Sequence, residues 1–577
     1  MRSALRFRLR LFTVVIIFFA LVIATRLYFV QVVHGADFAL KAEHQYTSAS
    51  QALYDRGAIY FTRKDGTLLS AAGLSTGFRL AIDPERVKDA DATYTALNAV
   101  VPIDAEEFHE SAAKTDDPYE VIEDRISEEA GRTISGLEMP GVIVERERWR
   151  NYPADENGAQ SIGFVAFDDS GTKIAGRYGL ERYYEDVLSR DNSGLFGNFF
   201  AELFANVGDA VTDPRHAKEG DVVTTIEPVV EEKLEQILEE TNTRYGSLET
   251  SGIVMDPKTG EIIALASYPS YNPNDFRGVD VARFNNPLVE HQYEFGSIMK
   301  PLTMAAGLDA GVITPDSVYN DTGCFTVNTA KICNYDHKAR GPATPMQEIL
   351  SQSLNVGASY IATRLGHDRF RSYFTGLGFG TETGIDLPGE VAGDVRNIMT
   401  SPRDVEYDTA SFGQGLAETP VQMIRALGAL ANGGAVVSPH LTRAIRLQSG
   451  VIKELTWGSP KQVFGPEAVT ETTRMLVKVV DVKLANGTVK IPDMSVAAKT
   501  GTAQIAGPGG KYRDGAYFHS FFGYFPAYDP KFVILLYTRE PKGVEYASET
   551  LTHPFMELTH FLISYYSVPP DRGDTNL

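Results

Sequence analysis

The pattern of hydrophobic and polar positions divides the chain into parts of different character. An apolar stretch near the N-terminus, 11–33, contains one charged residue, Arg26. Residues 36–225 carry short strand patterns between turn signals, and 92–135 among them is acidic and favours helices. Farther along, helical periodicity fills 298–435 between early and late strands, which are predicted at 222–226, 252–255, 261–267, 495–505, 518–525 and 531–538.

This order of elements predicts an α+β fold, in which early and late strands form one antiparallel sheet flanked by the helices between them. We expect a basic tail, a transmembrane helix, a mixed α/β domain, a second α+β domain and a disordered C-terminal tail. The corresponding ranges are 1–10, 11–33, 36–225, 240–567 and 568–577.

The apolar stretch is long enough to span a bilayer, which takes about 20 residues. Four arginines precede it and favour a cytoplasmic N-terminus; they are Arg2, Arg6, Arg8 and Arg10. A cleaved signal peptide is the alternative, but residues 27–30 are bulky and offer no small-residue cleavage site. We therefore expect an uncleaved, single-pass anchor with the rest of the chain outside the cytoplasmic membrane.

Charge and cysteine content exclude several classes of function. The formal net charge is −21, which argues against nucleic-acid binding because nothing offsets phosphate repulsion. Two cysteines in 577 residues exclude a disulfide scaffold and a zinc site made of several cysteines. Cys324 and Cys333 flank a predicted hairpin, and the spacing is compatible with a disulfide or with two buried thiols.

An aromatic-rich segment, 196–207, repeats apolar residues at helical spacing. Such a stripe usually packs a helix onto its own domain. A contact with a partner or a membrane is the alternative interpretation.

The first candidate motif is Ser297-Ile298-Met299-Lys300, an S-x-x-K sequence. Residues three apart lie on one helix face, so the Ser297 hydroxyl and the Lys300 amine are expected to be neighbours. A serine hydroxyl is a weak nucleophile until a base removes its proton. A lysine can be that base when burial or a second cation lowers its pKa.

The second motif is Ser353-Leu354-Asn355, an S-x-N sequence between two predicted helices. Thr344 fits the N-cap of the first helix, with Pro345 after it, and the second helix is predicted from about 356 to 365. At such a junction Ser353 could relay a proton and Asn355 could hydrogen-bond a substrate amide.

The third motif is Lys499-Thr500-Gly501-Thr502-Ala503, within a predicted strand. Lys499 and Thr502 could bind a terminal carboxylate. Gly501 removes a side chain, so another group can approach the backbone closely. An extended peptide could also pair with this strand as an added edge.

Each motif also occurs a second time, which shows how weak each is alone. The second copies begin at Ser111, Ser270 and Lys258, in a charged stretch, a Pro/Asn loop and a hairpin turn. The combination of Ser297, Ser353 and Lys499 has the order S-x-x-K, S-x-N, K-T-G, each in the required local context. That agreement makes the set specific.

The three motifs resemble those of the penicillin-recognising serine transferases, and with the anchor the chain is similar to class B penicillin-binding proteins. The N-terminal region carries further similar segments, which are 56–66, 147–165 and 179–181, and the later domain carries 256–269 and 412–415. Phe295 stands where the family commonly has proline before Gly-Ser. The resemblance implies a non-catalytic pedestal over 36–225 and a transpeptidase domain over 240–567.

The resemblance also implies roles for the motif residues in a peptidoglycan D,D-transpeptidase. Ser297 would attack the D-Ala-D-Ala carbonyl of a stem peptide, Lys300 would be the base, and Ser353 would pass the proton to the leaving group. Backbone N–H groups of Ser297 and Thr502 would form the oxyanion hole. The residues left to bind the donor peptide are Asn355, Lys499, Thr500, Gly501 and Thr502.

The resemblance implies β-lactams as ligands, and it implies no metal and no organic cofactor. The implied partner is a membrane-embedded glycan polymerase of the shape-elongation-division-sporulation (SEDS) class, within a division or elongation complex. A D,D-carboxypeptidase or a β-lactamase with the same motifs is the alternative enzyme. A non-catalytic scaffold or β-lactam sensor is the alternative without chemistry.

Overall fold

A computed structural model describes residues 55–167, 174–190, 219–507 and 511–572. The predicted anchor at 11–33, the basic tail before it and the aromatic segment 196–207 lie outside the described residues. Within the described residues, every helix is too short or too polar to cross a membrane.

The described chain forms two compact units that interleave along the sequence. The first contains Leu74–Trp149, and the second contains Arg56–Gly73, Arg150–Arg190 and the chain from residue 219 onward. The predicted domains, 36–225 and 240–567, were consecutive ranges, whereas the second unit takes segments from both.

The first unit packs three helices with strands around its own small core. The helices are Ala90–Asn98, Ala105–Ala112 and Glu128–Ser135, and each begins after a side chain that caps it, from Asp89, Asp104 and Ser127. The strands are the end of Leu68–Ile82, Glu120–Ile126 and most of Val142–Asn151. Phe108 and Ile134 are among the residues buried between them.

A five-stranded antiparallel sheet is the centre of the second unit. Its strands are β1 (Glu249–Met255), β2 (Ile262–Tyr268), β3 (Ala497–Ala506), β4 (Tyr512–Phe525) and β5 (Phe532–Arg539), in the order β3-β4-β5-β1-β2. Early and late strands therefore share one sheet, as predicted, except that the strand expected at 222–226 is Gly220–Thr224 and pairs in another sheet. The sheet is covered on both faces, since Ile253 belongs to one core cluster and its neighbour Val254 to the other.

Helices cover this sheet on both sides. Helix α1 (Pro228–Tyr245) supplies Leu234 and Leu238 to one cluster, and helix α2 (Lys300–Asp309) supplies Leu302 to the other. Helix α3 is Asn355–Leu365, and helix α4 is Thr552–Tyr565. Among the described residues of this unit, the other α-helices of five or more residues are Gly179–Tyr183, Met346–Ser351, His367–Gly376, Arg396–Thr400, Asp404–Ala410, Pro420–Ala431 and Pro466–Lys478. Its four-residue α-helices are Ala159–Ile162, Glu185–Leu188, Pro287–Glu290 and Ala547–Thr550.

Further strands complete the second unit. One sheet joins, in order, Ile452–Glu454, Thr442–Leu447, Gly220–Thr224, Ile59–Thr62 and the start of Leu68–Ile82. Short two-stranded pairs are Val165–Phe167 with Ile174–Gly176, Val318–Asp321 with Gly341–Pro345, Cys324–Val327 with Ala330–Cys333, and Ala435–Val436 with Lys461–Gln462.

A buried ion cluster ties early segments of the second unit together. Glu181 is fully buried and accepts hydrogen bonds from Arg56 and Arg150 at 2.6 Å each. Burial alone would raise the pKa of Glu181, but the two guanidinium charges outweigh it and lower that pKa. The carboxylate therefore stays ionised and holds two segments that are distant along the chain.

The start of the predicted disordered tail, 568–577, is ordered in the structure. Val568 is buried, and Asp571 accepts a 2.6 Å hydrogen bond from the Ser495 backbone N–H. Arg572 pairs with Asp481 at 2.9 Å. Composition predicted disorder, but these contacts hold 568–572, and residues 573–577 lie outside the described chain.

Candidate active site

The turn that carries Ser297 lies at the start of helix α2. Residues Gly296–Met299 form a 3₁₀ turn that continues directly into α2, with Pro301 in its first turn as predicted. In a 3₁₀ turn residues three apart are eclipsed, so Lys300 reaches back over Ser297. The Lys300 Nζ lies 2.7 Å from the Ser297 Oγ. The spacing predicted this contact, although the local helix type differs.

Strand β3 passes so close to this turn that side chains are excluded at the crossing. A Cβ on Gly501 would lie 2.6 Å from the Phe295 carbonyl oxygen and 2.4 Å from the Ser520 Oγ. The Ser520 hydroxyl donates a 2.8 Å hydrogen bond to that same carbonyl. The missing side chain of Gly501 therefore lets the turn that carries Ser297 lie directly against β3. In addition, Phe295 packs edge-on against Phe518, with ring centroids 5.3 Å apart.

Ser353 lies in the junction between helix Met346–Ser351 and helix α3. Its φ angle is 56°, a left-handed conformation that an L-residue with a side chain adopts at a cost of roughly 1–2 kcal/mol. In this conformation its Oγ lies 3.1 Å from both Lys300 Nζ and Lys499 Nζ. The hydroxyl thus bridges the two amines.

The cap predicted for the helix before Ser353 is wrong. Thr344 belongs to strand Gly341–Pro345, where it pairs with Tyr319, and Pro345 precedes the helix without a side-chain cap. The partner strand is distant in sequence, so local pattern could not reveal it. The second helix starts at Asn355, one residue before its predicted start.

Asn355 is held at both ends of its amide. Its Oδ1 accepts a 2.8 Å hydrogen bond from Lys300, and its Nδ2 donates a 2.9 Å hydrogen bond to the carbonyl of Cys333. Sequence analysis placed Asn355 beside a substrate amide. The structure adds that its carbonyl oxygen faces the buried lysine.

The K-T-G-T segment lies along β3, beside the Ser297 turn and Ser353. Lys499 is buried, and its Nζ donates to the Thr500 carbonyl at 2.8 Å as well as contacting Ser353. The Thr502 Oγ1 accepts a 3.0 Å hydrogen bond from the Ala547 backbone N–H. Thr500 and Thr502 are half-buried, so both keep part of their surface accessible.

Burial controls the charge of both lysines. Burial, followed by the positive charge of Lys499, lowers the pKa of Lys300 well below its ordinary value. Burial lowers the pKa of Lys499 to about 7. A neutral Lys300 amine has two N–H donors and one lone pair, so it can accept the Ser297 proton while donating to Asn355 and Ser353.

The structure separates the motif set from its second copies. Ser111 lies in helix Ala105–Ala112, while Lys114 lies beyond its end and pairs with Glu120. Lys258 lies in the turn between β1 and β2, as predicted. Ser297 and Ser353 instead contact the buried Lys300 amine, and Lys499 contacts Ser353.

The supporting roles of several residues at the site were not found from the sequence. Cys333 and Phe295 act through backbone carbonyls, which carry no sequence signal, and Ser520 and Ala547 act from segments outside the motifs. Cys324 and Cys333 form a disulfide, which decides between the two interpretations left open above. His337 lies beside this pair, but the bonded sulfurs leave no thiolate for a metal.

Comparisons with known proteins agree on one family. A family model described as the penicillin binding protein transpeptidase domain matches residues 250–558, more than half of the chain. A second model, the penicillin-binding protein dimerisation domain, matches residues 54–194.

Among curated proteins, the stage V sporulation protein D of Bacillus subtilis is 29% identical over 555 residues, covering 93% of this chain and 82% of that protein. The probable peptidoglycan D,D-transpeptidase FtsI of Caulobacter vibrioides is 29% identical over 481 residues, covering 81% and 73%. Among solved structures, penicillin-binding protein 3 of Mycobacterium tuberculosis, complexed with ampicillin, has a TM-score of 0.68 at 22% identity, covering 91% of this chain and 98% of that chain. This last likeness shows the fold.

The left-handed conformation of Ser353 predicts an inverted order of stability between two variants. Ser353→Gly should have a free energy of unfolding about 1 kcal/mol higher than Ser353→Ala, because both lose the hydroxyl and glycine alone relieves the backbone strain. Urea denaturation of the two proteins measures this difference.

The same pair of substitutions at Ser351, the last residue of the preceding helix, is the matched control. There glycine should be less stable than alanine, by up to roughly 0.5–1 kcal/mol. Alanine proving the more stable substitution at both positions would contradict the strain assigned to Ser353.

Proposed function

The chain belongs to the penicillin-binding protein transpeptidase family, and we propose from this premise that it is a peptidoglycan D,D-transpeptidase which crosslinks stem peptides through an acyl-enzyme on Ser297. The observation that carries the proposal is the buried Lys300 amine 2.7 Å from the Ser297 hydroxyl. Burial favours the neutral amine, so a base is already in place beside the nucleophile.

In the first step, the Ser297 Oγ attacks the carbonyl carbon of the penultimate D-Ala while Lys300 takes its proton. The C–N bond to the terminal D-Ala then breaks, and the proton returns to the leaving amine through the Ser353 hydroxyl. Ser353 suits this relay because its Oγ lies 3.1 Å from each lysine.

In the second step, the amine of a neighbouring stem peptide attacks the ester carbonyl, the C–O bond to Ser297 breaks, and Ser297 regains a proton. β-Lactams enter the same first step, and their leaving amine stays tethered after the ring opens. The two steps make a crosslink without water as the acceptor.

Binding of the donor peptide is assigned to the walls of the cleft. Charged Lys499, with Thr500 and Thr502, would hold the terminal carboxylate, while Asn355 would meet the peptide amide and Gly501 keeps β3 against the nucleophile turn. The backbone N–H groups of Ser297 and Thr502 would form the oxyanion hole. The close crossing supports this, since a Cβ on Gly296 would lie 2.7 Å from the Thr502 carbonyl oxygen.

The chain is also proposed to be anchored in the bacterial cytoplasmic membrane by residues 11–33, with its catalytic part outside. Crosslinking requires glycan strands that another enzyme has polymerised. The proposed partner is therefore a membrane-embedded SEDS-class polymerase within a division or elongation complex.

Labelling with a fluorescent penicillin tests the nucleophile. The intact chain and Ser111→Ala should become covalently labelled, whereas Ser297→Ala should lose the label, because Ser353, the other hydroxyl beside the buried lysines, is the proposed proton relay and not the nucleophile. Denaturing gel fluorescence measures the adduct. Label that persists in Ser297→Ala would contradict the assignment of Ser297 as the nucleophile.

The acylation rate should depend on pH along a bell-shaped curve. As pH falls, protonation of Lys300 removes the base, and as pH rises above about 7, deprotonation of Lys499 removes the charge that holds the carboxylate. Stopped-flow labelling across this range measures both limbs.

Lys499→Arg separates the two limbs, because a guanidinium stays charged in proteins. Its alkaline limb should move to higher pH while the acid limb remains. A rate independent of pH in the unmodified chain would contradict both assignments.

The anchor predicts how the chain partitions. Full-length protein should stay in the membrane pellet after alkaline carbonate extraction, and a chain lacking residues 2–33 should be released, because removal of the apolar stretch removes its burial in lipid. Release of the full-length chain would argue against an integral anchor.

A further inference from the structure

Helix α3, which begins at Asn355, receives its N-terminal cap from another segment. The residue at its own N-cap is Leu354, whose side chain has no atom that can accept a hydrogen bond. The Oδ1 of Asn334 instead accepts a 3.1 Å hydrogen bond from the Val356 backbone N–H. Asn334 is buried, so this cap is shielded from water.

Asn334 is itself fixed by a buried carboxylate. Its Nδ2 donates to both oxygens of Asp321, at 2.9 and 3.0 Å, and Asp321 is fully buried. A carboxylate accepts and does not donate, so the amide must turn its NH₂ end toward Asp321. The Oδ1 is thereby directed at Val356 rather than away from it.

The neighbouring residue, Cys333, orients Asn355 in the same way. Its carbonyl accepts the Asn355 Nδ2 at 2.9 Å, and because a carbonyl only accepts, the Oδ1 end must face Lys300. A flipped amide would direct an NH₂ group at the lysine. Two consecutive residues of one segment therefore set the start of α3 and the amide beside the base.

A disulfide fixes the position of this segment. Cys324 and Cys333 lie directly opposite each other in the hairpin of strands Cys324–Val327 and Ala330–Cys333. At the open end of this hairpin, next to the disulfide, the Asn334 N–H donates a 2.8 Å hydrogen bond to the Gly323 carbonyl. Both cysteines are half-buried, so a small thiol reagent can reach the bond.

We propose that the disulfide-closed hairpin Cys324–Cys333, with Asn334, is a positioning element for Asn355, and that opening the disulfide with a dithiol slows acylation of Ser297. This inference rests on the proposed function. In the opening step the dithiol gives two electrons and two protons to the S–S bond. The products are two protein thiols and the cyclic disulfide of the reagent.

The main test is the rate of acylation by a fluorescent penicillin in the full chain carrying Cys324→Ser with Cys333→Ser. This variant keeps the Cys333 carbonyl and removes the cross-link. The rate should fall roughly 10- to 100-fold, because a misplaced group near the reacting atoms costs about that much. Unmodified chain treated with dithiothreitol and desalted just before labelling should show the same fall.

The pH profile distinguishes positioning from loss of folded protein. When the Asn355 carbonyl no longer accepts from Lys300, the charged amine loses a partner, so the acid limb should move to lower pH. A smaller folded fraction would scale the rate at every pH and leave the limb in place. A fall in rate with an unmoved acid limb therefore overturns the inference.

Asn334→Ala should also slow acylation and move the acid limb to lower pH. The swap of the two side chains, Asp321→Asn combined with Asn334→Asp, should have the rate of the unmodified chain. In that swap the amide donates from position 321, and the carboxylate at 334 can still accept from Val356. Asn328→Gly is the matched control, because it removes the hydrogen bond that the Val405 backbone N–H donates to Asn328 Oδ1 at the hairpin tip, without touching α3. Its rate should stay within about twofold.

Unmodified chain that takes no label would overturn the proposed function itself. If the unmodified chain is labelled, this inference alone is overturned when the cysteine variant reacts within about twofold of it, or when the swap loses as much rate as the cysteine variant is expected to lose. Should Asn334→Ala fail to fold, the cysteine variant and the swap still decide.

Discussion

The site depends on keeping one amine uncharged inside the protein. Taking an ammonium out of water is costly unless its charge is paired, so a buried lysine with hydroxyl, carbonyl and amide partners releases its proton instead. Lys300 has such surroundings, with oxygen atoms of Ser297, Ser353 and Asn355 around its Nζ. The resulting lone pair is what makes an ordinary serine hydroxyl reactive.

The fold supplies these surroundings from three segments, which differ in how firmly the structure around each one holds it. Lys499 is part of a strand in the central sheet, with both faces of that sheet covered by core clusters. Ser297 lies at the start of a helix and is pressed against the same strand. The S-x-N segment has neither support, because Ser353 is in a strained conformation and the following helix has leucine at its N-cap.

The sequence predicted the sheet well because its strands are apolar runs with distinct ends. Strand β1 was expected at 252–255 and extends over Glu249–Met255, and β5 was expected at 531–538 and is Phe532–Arg539. The spacing of S-x-x-K fits a 3₁₀ turn as well as an α-helix, so it predicted the contact and could not give the turn type. Thr344 and Asn334 could not be judged locally, because their roles follow from pairing with residues distant in sequence.

The weakest of the three segments is therefore the one that receives outside support. An S-x-N junction needs a hydroxyl in a left-handed turn and an amide at the start of the next helix. Both requirements exclude residues that would stabilise the junction without help from another segment. Glycine at 353 would relieve strain but remove the relay, and a capping side chain at 354 would replace a buried leucine. The chain keeps the chemistry at these positions and places the stabilising groups on a neighbouring hairpin, which holds the disulfide, and on the residues beside it, which hold the buried carboxylate and the asparagine cap. The chemistry of the cleft and the stability of its wall are thus carried by different segments of the chain.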